Sequence, residues 1–385
     1  MNKPKLGIIA YKALSGGVIV IFEHAYYLTL RNQYEVFLIF DTEVTDEDIS
    51  WFDRATTLNK ISFEEAKNIH FDVVIATFWK SCYEIAELKS NSYLYFNQSV
   101  ESKFYKDNPH KAALAEATYL LGLPIITEAT WIKNYLNEQY HIDAELAKNG
   151  INKEVFFVQQ EKEKNRPFRV LVEGPLDVDF KNVNRTLEIC KKSKADEIWL
   201  LTSTEVDQIE GVHQVFSKIP IHKVQEVYNS CDVLVKLSKV EGMFGPPLEM
   251  FHCGGTAITY NVSGFDEYMK HNHNALIADM DDEEKVLEYI NFLKDHPEEL
   301  ERLKQNALIT ANEWPNWEQA SRGFEQAIEK SLAKEQVIQE QLKYKIKTIE
   351  TLYSSHNVQE QNTVQEHILV RVYRKLKYLY KKHVL

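Results

Sequence analysis

Val235-Lys-Leu-Ser-Lys-Val-Glu241-Gly-Met-Phe-Gly-Pro-Pro-Leu-Glu249-Met-Phe-His-Cys-Gly254-Gly255-Thr-Ala-Ile258 reads as strand, tight loop, helix, turn and strand. Gly242 and Gly245 let the backbone approach a ligand closely. Pro247 falls near the first turn of the helix, where a missing N–H costs nothing. The N–H groups at that helix start favour a diphosphate or a sugar hydroxyl. Glu241 sits on the loop, and Glu249 lies inside the following helix with one face toward the ligand side.

Outward from this stretch the chain alternates strands and helices. Residues 168–173, 197–202, 233–237 and 256–260 read as strands, with helices expected over 182–192, 224–229 and 247–253. The first half repeats the pattern, with strands at 6–11, 35–40, 73–77, 93–97 and 125–127 and helices at 18–30 and 130–139. Such alternation predicts parallel strands joined by helical crossovers. The polar stretch 159–167 interrupts it with the charge and proline content of a linker. The expected organisation is an α/β domain over 1–158, a second over 168–315, a helix over 316–331 returning toward the first domain, and a helical extension over 332–385. Two α/β halves imply a cleft, because open α/β sheets bind ligands at the carboxyl ends of their strands.

Composition narrows the class. The 385 residues are 44% hydrophobic and 26% charged, which is ordinary for a globular protein. A net charge of −12 argues against a general nucleic-acid binder, which needs a basic face. No apolar stretch reaches the roughly 18–20 residues that cross a bilayer. The N-terminus lacks a signal peptide's apolar core and cleavage site, and Cys82, Cys190, Cys231 and Cys253 form no C-x-x-C pair. The expected compartment is the cytoplasm.

Glu241-Gly-Met-Phe-Gly-Pro-Pro-Leu-Glu249 resembles the E-x7-E signature of glycosyltransferase family four, the glycosyl transferases group 1, in its bacterial surface-polysaccharide type. Both glutamates, Gly242 and Pro246 are in register, and Phe244 replaces the usual second glycine. The Gly254-Gly255 turn, Gly264 and Glu267 also fit. The resemblance implies a GT-B architecture, with two Rossmann-like domains facing each other across a cleft, plus a C-terminal helical extension. It further implies a retaining, metal-independent transferase that moves a sugar from a nucleotide diphosphate-sugar to a glycan or lipid-linked acceptor. Glu241 would contact the donor sugar and Glu249 the ribose, with Gly242, Met243, Phe244 and Gly245 lining the donor site. No cofactor is implied.

The remaining site expectations follow from the same resemblance. Gly16 and Gly17, after the first strand, look like the glycine loop of the family's first domain. Lys181, in the loop after the strand at 168–173, matches the lysine that grips the departing diphosphate and is assigned with Glu241 to catalysis. The family's arginine in that loop falls at Pro175, which leaves charge neutralisation thinner or supplied from elsewhere. Gln98 and Glu101 resemble more loosely a segment lining the acceptor side. Asn149-Gly-Ile-Asn152 resembles the turn leading to the linker. Asp177-Val-Asp179 and His271-Asn-His273 are read as a solvated loop and a surface turn, with no metal site expected.

Over 364–382 apolar residues fall on one half of a helix, with Arg371, Arg374, Lys375, Lys377, Lys381 and Lys382 on the other. That pattern suits an anionic membrane surface and predicts a peripheral position on the inner face of the cell membrane. A docked helix or a partner subunit is the alternative, and partial heptad character over 332–353 leaves an oligomer open. The rival reading of the whole chain is a non-catalytic sugar-nucleotide-binding or assembly protein of a polysaccharide complex.

Overall fold

The computed structural model describes residues 3–159 and 166–354. The basic segment 364–382 and most of the linker lie outside the described residues. The chain divides into two compact units, residues 1–148 with 320–385, and residues 149–319.

Among the described residues, the first unit holds a parallel sheet in the order β3-β2-β1-β4-β5-β6-β7. Its strands are β1 (Lys5–Ile9), β2 (Glu35–Phe40), β3 (Lys60–Ser62), β4 (His70–Ala76), β5 (Lys89–Asn97), β6 (Ile125–Thr127) and β7 (Glu145–Leu146). The second unit's sheet runs β10-β9-β8-β11-β12-β13, also parallel. It comprises β8 (Arg169–Glu173), β9 (Glu197–Thr202), β10 (Gln214–Ser217), β11 (Val233–Lys236), β12 (Thr256–Tyr260) and β13 (Leu276–Ala278). The central strands are apolar runs buried on both faces, as a sheet covered by crossover helices requires. In both sheets the order reverses beside the first strand, and it is there that ligands bind at the carboxyl ends.

The short strands β3, β7, β10 and β13 extend the sheets beyond the sequence expectation. They have two to four residues each, too few for a periodic signal. The segment 149–158 packs in the second unit: Ile151 bridges Asn316, the Trp314 indole N–H donates to the Asn149 carbonyl, and Phe156 packs on Tyr228.

The helix expected over 316–331 forms as Trp317–Leu332, and the one expected over 332–353 begins later, as Gln339–Ser354. Between them Gln336 donates to the carbonyls of Ser331 and Lys334, satisfying exposed helix-end acceptors, while Val337 turns into the core. In the first unit Phe324 stacks on His24, and Arg31 pairs with Glu325 at 2.6 Å. The face of Gln339–Ser354 that carries the partial heptads is taken up by its own chain. Leu342, Ile346, Ile349 and Tyr353 join the first unit's core, and Gln339 and Lys345 donate to the carbonyls of Ala86, Leu88 and Leu121. That leaves no apolar seam on this helix for a coiled coil.

Ile349 is fully buried, whereas Tyr344 on the same helix is 52% exposed. Ile349→Ala should destabilise the protein by about 2–5 kcal/mol in denaturant unfolding, and Tyr344→Ala by less than about 0.5 kcal/mol. Equal, small losses would mean that the helix is not docked.

Candidate active site

The site is built at the carboxyl ends of β8 and β11. After β8 the chain turns through Gly174, whose φ of +139° favours glycine and whose hypothetical Cβ would lie 2.9 Å from Val183 Cγ2. It then passes through Asp179–Lys181, a single 3-10 turn. After β11 the loop runs through Lys239 to Glu241. Two hydrogen bonds clamp these loops together: the Asn182 side-chain amide donates to the Leu237 carbonyl at 3.1 Å, and the Lys239 N–H donates to the Phe180 carbonyl at 2.8 Å. Ser263 Oγ holds the Glu241 carbonyl from the other side at 3.0 Å.

The clamp brings Lys181 to Glu241. The Lys181 ammonium donates to both carboxylate oxygens, at 2.9 and 2.8 Å, and Glu241 is only 7% exposed. Burial opposes ionisation of Glu241, but the charges of Lys181 and Lys236 outweigh it and hold its carboxyl below the ordinary range. Two of the sequence candidates therefore form one charged contact across 60 residues of chain.

Two further charged residues that sequence reasoning missed complete the cluster. Lys236, the last residue of β11, is buried with its side chain 2% exposed and donates to Glu173 Oε2 at 2.5 Å and to the Glu173 carbonyl at 3.2 Å. Glu173 ends β8. The one sequence signal was a lysine closing an otherwise apolar run, which reads as a strand emerging into solvent. Glu249 lies in the helix Gly245–His252 and accepts from the Tyr228 hydroxyl at 3.1 Å. Its pKa is pushed up to about 7, by burial first and by the Glu173 charge second, against the opposing pull of Tyr228 and Lys236.

The rest of the 241–249 loop departs from the expectation in two ways. Phe244 is fully buried in the second unit's core and its carbonyl accepts from the Tyr268 hydroxyl, so its side chain packs the loop from below rather than lining the donor site. The helix begins at Gly245, with Pro246 and Pro247 in its first turn. Prolines carry no N–H, so the helix start offers fewer backbone donors to a diphosphate than expected, and Gly245 supplies the first. Gly242 and Met243 are part-exposed on the loop. Beyond the helix, a Cβ at Gly255 would meet Met250 Cε at 2.1 Å, which explains the glycine turn.

Gly16, Gly17, Gln98 and Glu101 belong to the first unit. Gly16 and Gly17 open the helix Gly16–Arg31, with Ser15 Oγ accepting from the Val18 N–H as its cap. A Cβ at Gly17 would lie 3.1 Å from Gln98 Oε1, so the glycine turn and the Gln98 segment meet. Glu101 is buried and accepts from the Trp79 N–H at 2.6 Å and the Tyr95 hydroxyl at 3.0 Å. Burial pushes its pKa up to about 8, and both bonds fall on one oxygen, which marks it as a holder of its own loop. Asp177 accepts from the Thr204 hydroxyl at 2.8 Å. Among the described residues, no group of three or more His, Cys, Asp or Glu could hold a metal ion, and no helix is long and apolar enough to cross a membrane.

Because Glu249 binds its proton more tightly folded than unfolded, the stability it contributes is present below about pH 4.5 and lost as pH rises through about 7. Glu249→Gln, whose amide oxygen can still accept from Tyr228, should gain stability relative to the parent between pH 5 and 8. Thermal melts across that range check it, and a difference independent of pH would place Glu249 in water.

Residues 181–309 match the family described as glycosyl transferases group 1, a span that begins at Lys181 and contains Glu241 and Glu249. No curated protein sequence matches the chain. Among solved structures, sucrose-phosphate synthase from Thermosynechococcus elongatus is similar at 13% identity, covering 86% of this chain and 100% of that one, with a TM-score of 0.71. HepE from Anabaena in complex with UDP-glucose is 10% identical over 85% of this chain and 100% of that one, with a TM-score of 0.69. WaaG, a glycosyltransferase involved in lipopolysaccharide biosynthesis, is 14% identical over 84% of this chain and 98% of that one, with a TM-score of 0.65. At such identities the likeness establishes the fold. The chain has the two parallel-sheet α/β units of the GT-B glycosyltransferases, a C-terminal helical region, and a glycosyl transferases group 1 domain over residues 181–309.

Proposed function

We propose that the protein is a retaining glycosyltransferase that moves a sugar from a nucleotide diphosphate-sugar to a glycan or lipid-linked acceptor in bacterial surface-polysaccharide synthesis. The observation that carries this reading is the Lys181–Glu241 contact at the carboxyl end of the second sheet, inside the segment that matches glycosyl transferases group 1. The UDP-glucose held by HepE and the lipopolysaccharide role of WaaG support the donor and acceptor classes.

In this reading Lys181 meets the diphosphate, Glu241 holds the sugar and Glu249 holds the ribose. The bond from the anomeric carbon to the diphosphate oxygen breaks, and the acceptor oxygen bonds to the same face of that carbon. The acceptor's proton passes to the departing phosphate oxygen. Negative charge grows on the diphosphate as its bond lengthens, and an ammonium in a partly dry site stabilises it more than water does. The diphosphate must also compete with Glu241 for Lys181. Donor binding therefore opens the Lys181–Glu241 contact and frees the carboxylate for sugar hydroxyls. Lysine charge rather than a divalent ion serves the leaving group.

Glu241→Ala and Lys181→Ala should each lower transfer by about 10²–10³-fold, measured with the nucleotide-sugar chosen from UDP-, GDP- and dTDP-sugars by thermal shift. EDTA should leave the parent rate unchanged. A Glu241→Ala enzyme at full rate, or strict dependence on Mg²⁺, would contradict the mechanism. Donor binding with neither hydrolysis nor transfer would favour an assembly protein.

A further inference from the structure

Lys236 costs the fold something that an apolar residue would not. Val233, Leu234 and Val235 before it are fully buried side chains of β11, and a leucine would continue that packing. A buried ion pair is no more stabilising than the apolar pair that could replace it, so a charge retained here calls for another reason. Its surroundings supply one. The ammonium lies beneath the turn that leaves β8: a Cβ at Gly174 would be 3.5 Å from Lys236 Nζ and 3.8 Å from Lys181 Cβ.

Five charged side chains gather there: Glu173 from β8, Lys181 from the loop after it, Lys236 from β11, Glu241 from the next loop and Glu249 from the helix Gly245–His252. Tyr228 and Tyr268 face the same carboxylates. Three carboxylates thus stand against two ammoniums, and Lys181 is already taken by Glu241. Without Lys236 a diphosphate would enter a site of three acids and one base. Pro175, the next residue along the turn, offers no charge. Lys236 acts on Glu173 directly and on Glu241 and Glu249 through its field.

We propose that Lys236 is a positioning residue of the donor site, holding Glu173 in place beneath the Gly174 turn and supplying a fixed positive charge to a pocket that carries three carboxylates. This rests on the donor reading above. Lys236 does not touch the donor; it acts through the two carboxylates and through the charge balance of the pocket.

The test titrates UDP, GDP and dTDP into the full chain by calorimetry and follows the tightest of them. Lys236→Met should weaken that nucleotide on the order of tenfold. The loss should grow as pH rises from 6 to 8, because Glu249, with a pKa of about 7, then ionises with one fewer cation facing it. Lys236→Arg should restore much of the affinity and the parent pH slope. Glu173→Gln with Lys236→Met removes both charges and leaves the pocket at the parent's net charge, so it should melt close to the parent and recover much of the affinity that Lys236→Met loses. A Lys236→Met variant that binds the nucleotide like the parent across the pH range would overturn the role of Lys236 and leave the donor reading standing. A parent chain that binds none of the three nucleotides would remove the donor reading, and this inference with it.

Discussion

The contact on which the site depends is the pairing of two acids, the buried Glu241 and the part-exposed Glu173, with two lysines where β8 and β11 end. Glu241 and Lys181, and Glu173 and Lys236, are drawn from loops and strands far apart in sequence, and the buried members, Glu241 and Lys236, each need the partner. Their pairing fixes the loops after both strands in one geometry, which the Asn182–Leu237 and Lys239–Phe180 hydrogen bonds then lock. The parallel sheet supplies the place, because its strand ends converge beside the point where strand order reverses. The charges supply the chemistry.

Energetically the arrangement is poised rather than optimised for stability. Exposed ion pairs contribute little, and buried ones roughly offset their own desolvation. Glu249, with a pKa of about 7, adds a carboxyl whose charge depends on its neighbours. Such a cluster is ready to be rearranged by an anion that competes for its lysines. The apolar frame around it packs Phe244, Leu248, Met250 and Phe251 beneath the loop and helix.

Much of this was legible in the sequence. The stretch from Val235 to Ile258 announced strand, loop, helix and strand because its glycines and prolines have few other uses, and the structure forms those elements within a residue or two. β1, β2, β4, β5, β6, β8, β9, β11 and β12 were readable from apolar runs; the short strands β3, β10 and β13 were not. Lys236 stayed hidden because a lysine after an apolar run ordinarily marks the end of a strand in solvent, and its partner Glu173 is 63 residues away. Phe244 was read as a pocket residue from its place in the motif. Its side chain turned inward because Tyr268 holds its carbonyl and the core needed the ring. The end of one helix near Lys330 was legible, whereas the late start of the next at Gln339 was not, because the turn at Gln336 carries no periodic signal.

The most direct measurement is a crystal structure of the full chain with the best-binding nucleotide-sugar. Diphosphate oxygens about 3 Å from Lys181 Nζ, with Glu241 turned from Lys181 to a sugar hydroxyl and Glu249 on the ribose, are the expected result. A nucleotide bound elsewhere on the chain while the Lys181–Glu241 pair stays closed would contradict it.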